Sequence, residues 1–334
     1  MKKLLILIAL AALCLGVAGC GKVSDQSLRF GTGGIGGMYY AYGLALADLV
    51  NGDHQGYQLD VKTTAASAAN LRLMREGFLD LAIVQSDMLS DAARGEGIFA
   101  SSGPATGYAA VAGLYTEACQ IVVAADSPLN SVYDLAGKRV SLGEKESGVL
   151  KNAQEILLAH GLTPELLQPS YLSFKDSAEA MKRGEIDAFF CTAGAPTSAI
   201  RELAKEKDIR LLPISDEVQD NMLKLNRGYT RYVVPADTYE GQEEEIATLG
   251  VKAVLVAGAG TPEKDVAYLT GFLLKNAEKI HESTHAPGTL TADYAVKDIA
   301  VPFHAGAARY YKGQGIEVDV YNGAEAKKIT ATQD

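Results

Sequence analysis

The segment Met74-Arg75-Glu76-Gly77-Phe78-Leu79-Asp80-Leu81-Ala82-Ile83 returns, respelled, as Met181-Lys182-Arg183-Gly184-Glu185-Ile186-Asp187-Ala188-Phe189-Phe190. Each copy reads as a helix end, a glycine C-cap, an acidic entry and a buried strand. Each is also preceded by a strand, a Gly/Ser loop and a helix. These are residues 28–30, the loop opening at Gly31 and residues 39–50 in the first copy, and residues 139–142, 143–148 and 149–160 in the second. Strands alternating with helices of this length predict right-handed parallel units, hence an α/β chain with two doubly wound sheets.

The two units do not simply run in series. Residues 120–125 form an apolar run with no evident crossover helix before it, and residues 251–257 form a second, after the polar stretch 238–248. Two such connectors around the second copy predict a chain that leaves lobe one, builds lobe two and returns. The expected division is residues 28–118 plus 251–334 for a discontinuous lobe one and residues 119–250 for lobe two. Helical patterns at 263–282 and 306–313 are assigned to lobe one.

Lys2 and Lys3 precede an apolar core at residues 4–15 that is too short to span a bilayer as a mature helix. Val17-Ala18-Gly19-Cys20 follows and resembles a lipobox. The expectation is a lipoprotein signal peptide at residues 1–19, lipidation of Cys20 and a polar tether at residues 20–27. Several acyl chains on one residue give stable anchoring where one gives only marginal binding. The alternative is an N-terminal transmembrane anchor. The body is expected to be periplasmic or otherwise extracytoplasmic, held on a bacterial membrane by its lipid. Losing Lys2 and Lys3 moves the formal charge from −10 to −12, an acidic balance that argues against a nucleic-acid partner.

Gly31, Gly33 and Gly36 spell G-x-G-x-x-G, the dinucleotide fingerprint. That reading wants an acidic residue at the end of the next strand, about 20 residues on. Asp53 sits in a polar turn and Asp60 inside the strand, so no nucleotide cofactor is expected. The physical content of the loop remains: glycines let backbone approach a ligand, and the following helix presents unpaired N–H groups. Glu144-Lys145-Glu146-Ser147-Gly148-Val149 repeats the device in lobe two. Two helix N-termini facing one cleft would bind a small anion without an arginine; the alternative is that both are plain turns. Thr64, Ser67 and Asn70, then Gln85, Ser86 and Asp87, then residues 191–196, follow other predicted strands. Ligands sit outside strand carboxyl ends, so these are expected pocket lining or helix caps.

No catalytic set is visible. His54, His160, His281, His285 and His304 are scattered; His281 and His285 lie four apart, yet no third ligand completes a metal site. No G-x-S-x-G or P-loop appears, so an enzyme is not expected. Of the cysteines, Cys14 goes with the signal and Cys20 with lipid, leaving Cys119 and Cys191. An even pair in an oxidising compartment favours a disulfide, provided their strands are antiparallel neighbours. Two independent buried thiols are the alternative.

These motifs together resemble the TAXI-type extracytoplasmic solute-binding proteins of TRAP transporters, from Leu28 almost to the C-terminus. The strongest elements are residues 31–40, Thr64-x-x-Ser67-x-x-Asn70-Leu71, Gln85-Ser86-Asp87, Leu114-Tyr115-x-Glu117, Ser147-Gly148 and residues 189–196. Further ones lie at residues 134–140, 234–242 and 304–311. The resemblance implies a type II-like periplasmic-binding-protein fold, two lobes joined by two crossover strands, with a ligand enclosed by hinge closure. It implies a monomer that binds a small organic anion, an amino acid such as glutamate or a mono- or dicarboxylate. The partner would be the membrane subunits of an ion-gradient-driven TRAP transporter. Gly36, Gly37 and Tyr39 with Ser147, Gly148 and Val149 would hold the carboxylate. Ser67, Gln85 and Tyr115 would read the other end, and Ala193, Gly194 and Pro196 would close the cleft from lobe two. Ile35 and Val149 stand where threonine is common in such proteins, which favours a less polar monocarboxylate. A ligand-sensing partner of a signalling receptor, or an extracytoplasmic enzyme on the same scaffold, are the other readings.

Overall fold

The computed structural model describes residues 26–53, 56–226 and 228–322. The expected signal peptide, Cys20 and His54 lie outside them. Strand β1 (Gln26–Gly31), helix α1 (Met38–Gly52), β2 (Tyr57–Lys62), α2 (Ser67–Arg75), β3 (Leu81–Gln85) and α3 (Ser86–Arg94) begin lobe one. The long strand β4 (Tyr108–Ala124) crosses to lobe two. There follow β5 (Arg139–Ser141), α4 (Gly148–Ala159), β6 (Gln168–Ser170), α5 (Phe174–Lys182), β7 (Ala188–Ala193) and α6 (Ser198–Ala204). Then come β8 (Ile209–Leu211), α7 (Asp216–Leu225) and β9 (Tyr229–Val234). Strand β10 (Ile246–Gly258) returns, and α8 (Glu263–Lys275), α9 (Ala277–Thr284), α10 (Ala292–Val296) and α11 (Ala305–Gly313) pack on lobe one.

The two lobes repeat one pattern. In lobe one β1 lies parallel between β2 and β3, and β10 is added antiparallel to β3. In lobe two β5 lies parallel between β6 and β7, and β4 is added antiparallel to β7. A buttress at the base repeats too. The Asp80 carboxylate accepts from the Arg29 backbone N–H at 2.8 Å and from its guanidinium at 2.7 and 2.8 Å. Asp187 does the same for Arg139 at 2.9, 2.6 and 3.2 Å. The glycine caps predicted from the duplicated segment have the left-handed backbone such caps need, φ 77° at Gly77 and 69° at Gly184.

The expected pair of separate sheets is joined. Strands β4 and β10 each belong to both lobes, so the hydrogen-bonded path runs unbroken as β2-β1-β3-β10-β4-β7-β5-β6. The near half of β4 pairs with β10, and from Ala118 onward it pairs with β7. The cores divide along the same strands: one gathers residues between 28 and 115 with residues between 253 and 311, and two others lie within 118–251.

The Cys119–Cys191 bridge is not formed; both thiols are free and buried. Their strands are indeed antiparallel neighbours, but Cys119 faces Thr192 and Cys191 faces Gln120. That offset of one residue sends the two side chains to opposite faces of the sheet. Cys119 joins the core on one side and Cys191 the core on the other. Burial pushes both thiols up, away from the reactive thiolate.

Candidate functional site

Three helices point their N-termini at the space between the lobes. Helix α1 starts after Gly37, which is extended (φ −92°, ψ 159°) and supplies no side-chain cap. Gly36 has φ 96°, a conformation that requires glycine. Helix α2 starts after Ala66, also without a side-chain cap and with φ 71°. A left-handed backbone on a non-glycine residue is strain of the kind found at ligand clamps. In lobe two, Glu146 has φ 62° just before α4. Ser147 caps that helix, its Oγ accepting from the Leu150 N–H at 3.1 Å. The first N–H groups of a helix have no intrahelical partner and carry partial positive charge. Two ends without a side-chain cap and one with a cap converge on the cleft, the Ala69 N–H of α2 being taken by the Glu146 carbonyl of lobe two at 3.1 Å.

The cleft is a confined cavity of about 40 Å³. Such confinement suits a ligand of a few heavy atoms. Lobe one lines it with Tyr39, Ser67, Gln85 and Glu117 and with the apolar Met38, Ala65 and Ala66. Lobe two adds Glu144, Ser147 and Thr192 and the apolar Val149, Leu172, Phe174 and Ala193. Ile35 stands at the rim, 58% exposed.

Ser67 Oγ accepts from the Gln85 N–H at 3.0 Å, fixing the strand end from which the Gln85 amide reaches the cleft. Gln85 Nε2 donates to Asn152 Oδ1 of lobe two at 3.1 Å, while its Oε1 is buried without a partner. Tyr39 donates to Glu117 Oε1 at 2.5 Å. Burial pushes the Glu117 carboxyl up to about 8; the bonds from Tyr39 and Gln85 oppose the rise and the charge of Asp87 adds to it.

Of the expected ligand residues, Gly37, Tyr39, Ser67, Gln85, Ser147, Gly148, Val149 and Ala193 line the cleft. Gly36 does not; its carbonyl accepts from the Ala199 N–H of lobe two at 3.1 Å, a contact between lobes. Tyr115 is turned into the core of lobe one, its ring 5.5 Å from that of Tyr42. Gly194 and Pro196 do not line the cleft. A Cβ at Gly194 would come within 3.0 Å of Met38 and of Pro287, so this position is a packing contact. Asn70 is also structural, its Nδ2 donating to the carbonyls of Thr32 and Ile83 at 2.8 and 2.9 Å. His281 and His285 do not converge: His281 Nδ1 meets the Ala286 carbonyl at 2.8 Å and His285 ends helix α9 with φ 54°.

Sequence reasoning missed Glu117, Glu144 and Phe174 as lining, although Glu117 closes the Leu114-Tyr115-x-Glu117 motif. It also missed a buried cluster behind the cleft. Lys151 of α4 donates to Asp87 Oδ2 of α3 at 2.8 Å and lies 3.5 Å from Asp91 and 3.0 Å from Glu155. Burial alone would depress this ammonium's pKa, yet the surrounding carboxylates hold it above its ordinary range. Asn152 Nδ2 joins Asp87 at 3.1 Å to the Tyr229 hydroxyl at 2.8 Å. The spacing of Lys151 and Glu155, four apart on one helix, was the available signal.

The fold and cleft define a two-lobed protein of the type II-like periplasmic-binding class. The chain belongs to the NMT1-like family, whose model matches residues 30–315. A solved structure from Bordetella bronchiseptica RB50 is 15% identical, with 92% of this chain and 89% of that chain covered and a TM-score of 0.51. The periplasmic aliphatic sulphonate-binding protein from Escherichia coli is 18% identical over 86% of this chain and 90% of that chain, with a TM-score of 0.45. The alkanesulfonate-binding protein from Xanthomonas axonopodis pv. citri, bound to MOPS, is 17% identical over 92% and 90%, with a TM-score of 0.47.

Proposed function

We propose that this chain is an extracytoplasmic receptor that encloses a small carboxylate-bearing solute between its lobes and delivers it to a membrane transporter. One observation carries the reading: the N-termini of α1 and α2, which lack side-chain caps, and the N-terminus of α4 converge on a confined cleft at the strand carboxyl ends. Helix N-termini bind carboxylates with backbone N–H groups and need no basic side chain. The motifs shared with TAXI-type proteins support a TRAP transporter as the partner, and Cys20 supports a lipid anchor. Calorimetric titration with short aliphatic carboxylates and amino acids tests the receptor role. Binding of one molecule per chain is expected; a flat response across the whole panel would sink the reading. Uptake by vesicles carrying the transporter subunits tests the partner: it should follow an imposed sodium or proton gradient, and dependence on ATP would count against it. Labelled palmitate should enter the wild-type chain and not Cys20→Ala.

A further inference from the structure

The cleft floor contains a carboxyl that anion binding does not use. Glu117 hangs from β4 close to where that strand crosses between the lobes; it is 1% exposed and lines the cleft. Tyr39 satisfies its Oε1, but its Oε2 has only the Gln85 amide at 3.5 Å, at the outer limit of a hydrogen bond. Beside it the Gln85 Oε1 has no donor, although Gln85 is 2% exposed. These two buried acceptors short of donors sit beside the N-termini of α2 and α4, where a Cβ on Gly148 would fall 1.8 Å from Gln85 Oε1 and 3.1 Å from Ser67 Oγ. The lining adds a second carboxyl, Glu144, and among the described residues it includes no Lys, Arg or His. The ammonium of Lys151 is committed to Asp87, Asp91 and Glu155 and does not line the cleft.

We infer that Glu117 and the Gln85 amide oxygen together bind an ammonium group, so that the cleft selects small zwitterions with an aliphatic body. Acids lacking the amino group, and solutes carrying a second carboxylate, are disfavoured. This rests on the carboxylate reading above, which places the ligand's carboxylate at the helix N-termini, next to the Gln85 amide oxygen, as the shared Cα of an α-amino acid requires. The aliphatic body would then lie against Met38, Val149, Leu172 and Phe174. A second carboxylate would find Glu117 and Glu144 and no counter-ion.

The titration of Glu117 gives the inference a signature. With its carboxyl pushed up by burial to about 8, the empty floor holds a proton at neutral pH, and an ammonium must displace it. The ionisable groups that act on it or feel it are Tyr39, Tyr115, Tyr294, Asp87, Cys119 and Cys191. The tyrosines and thiols are all shifted upward and stay neutral in this range. Affinity for a zwitterion should therefore rise about tenfold per pH unit between about pH 6 and 7 and level off above about 8.

The test is calorimetric titration of the full chain, dialysed free of solute, with L-valine, 3-methylbutanoate and L-glutamate. The first two differ by the amino group alone. L-valine is expected to bind about 100-fold or more tightly than 3-methylbutanoate, since buried acceptors left unpaired reject the analogue that lacks the donor. It should also bind more tightly than L-glutamate. Glu117→Gln should erase both the preference and the pH slope. The comparison of the three solutes on the wild-type chain stands without that variant. Equal or tighter binding of 3-methylbutanoate, or tightest binding of L-glutamate, overturns the ammonium site while leaving the carboxylate reading in place. Binding of none of the three overturns that reading and this inference with it.

Discussion

The two lobes share a scaffold down to the Arg29–Asp80 and Arg139–Asp187 buttresses, yet they present different chemistry to the cleft. Lobe one exposes an uncapped glycine loop and buried polar groups at Ser67, Gln85 and Glu117. Lobe two satisfies its own helix end with Ser147 and offers apolar cover and a lysine that reaches across. The frame is shared while the strand ends differ: the polar atoms left short of partners, on Gln85 and Glu117, belong to lobe one, and the side-chain-capped helix end and the crossing lysine to lobe two.

The largest expected effect is at the crossing lysine. Lys151 is 11% exposed against a fully buried Asp87 side chain, and removing one partner of a buried ion pair typically costs about 3–5 kcal/mol. In an open form both groups would be hydrated, so Lys151→Met should fall on closure rather than on folding. Solute affinity should drop at least about 100-fold and small-angle scattering should show a larger particle in the presence of solute. Unchanged affinity would remove Lys151 from the closing device. A smaller effect is expected at Ser147, where loss of the cap to Leu150 should cost about 1 kcal/mol of stability by urea unfolding. If Ser147→Ala instead abolished binding with stability intact, the Ser147 hydroxyl itself would be holding the solute rather than only capping α4.

Arg29→Ala and Arg139→Ala sharpen the comparison from the other side. Both pairs are partly exposed, so each substitution should lower stability only slightly, and the two losses should match. The arginine partners hold the Asp80 and Asp187 carboxyls below their ordinary values, with burial opposing and the backbone N–H bond assisting. A depressed folded-state value means that this stability is present above the unfolded aspartate range near about 4 and is lost as pH falls through the folded value. Unfolding curves for wild type and either variant should therefore converge in acid. The smallest effect is expected from the thiols: reductant should leave the melting temperature unchanged, and non-reducing peptide mapping should find Cys119 and Cys191 unlinked. A linked peptide pair would mean that the strand register is wrong.

The duplicated segment made the lobes legible because glycine caps, an acidic strand entry and an apolar strand are local signals that survive divergence. Gly77 and Gly184 mark the same turn in both copies. Long-range register was not local. That β4 and β7 are neighbours could be reasoned from order, but the one-residue offset between Cys119 and Cys191 depends on how two sheets share one strand. The site was legible as far as glycine loops and strand ends announce it. Tyr115 and Glu117 lie two apart on β4 and share a face, so the motif points to both; packing on Tyr42 takes the first into the core and leaves the second in the cleft. Burial of a carboxyl has no signature in sequence, which is why Glu117 had to wait for tertiary structure.

Closure of lobe two over lobe one is tested most directly at Gly148. Its backbone φ is ordinary, so alanine brings no conformational strain, but a Cβ there would fall 1.8 Å from Gln85 Oε1 and 3.1 Å from Ser67 Oγ across the cleft. Gln85 has little room to yield, held by Asn152 through its amide and by Ser67 through its backbone. Gly148→Ala should fold as the wild type does and be wedged open. Native mass spectrometry of both proteins, each mixed with the tightest-binding small carboxylate, is predicted to show one molecule per wild-type chain and none on Gly148→Ala. Equal occupancy of the two would contradict the account.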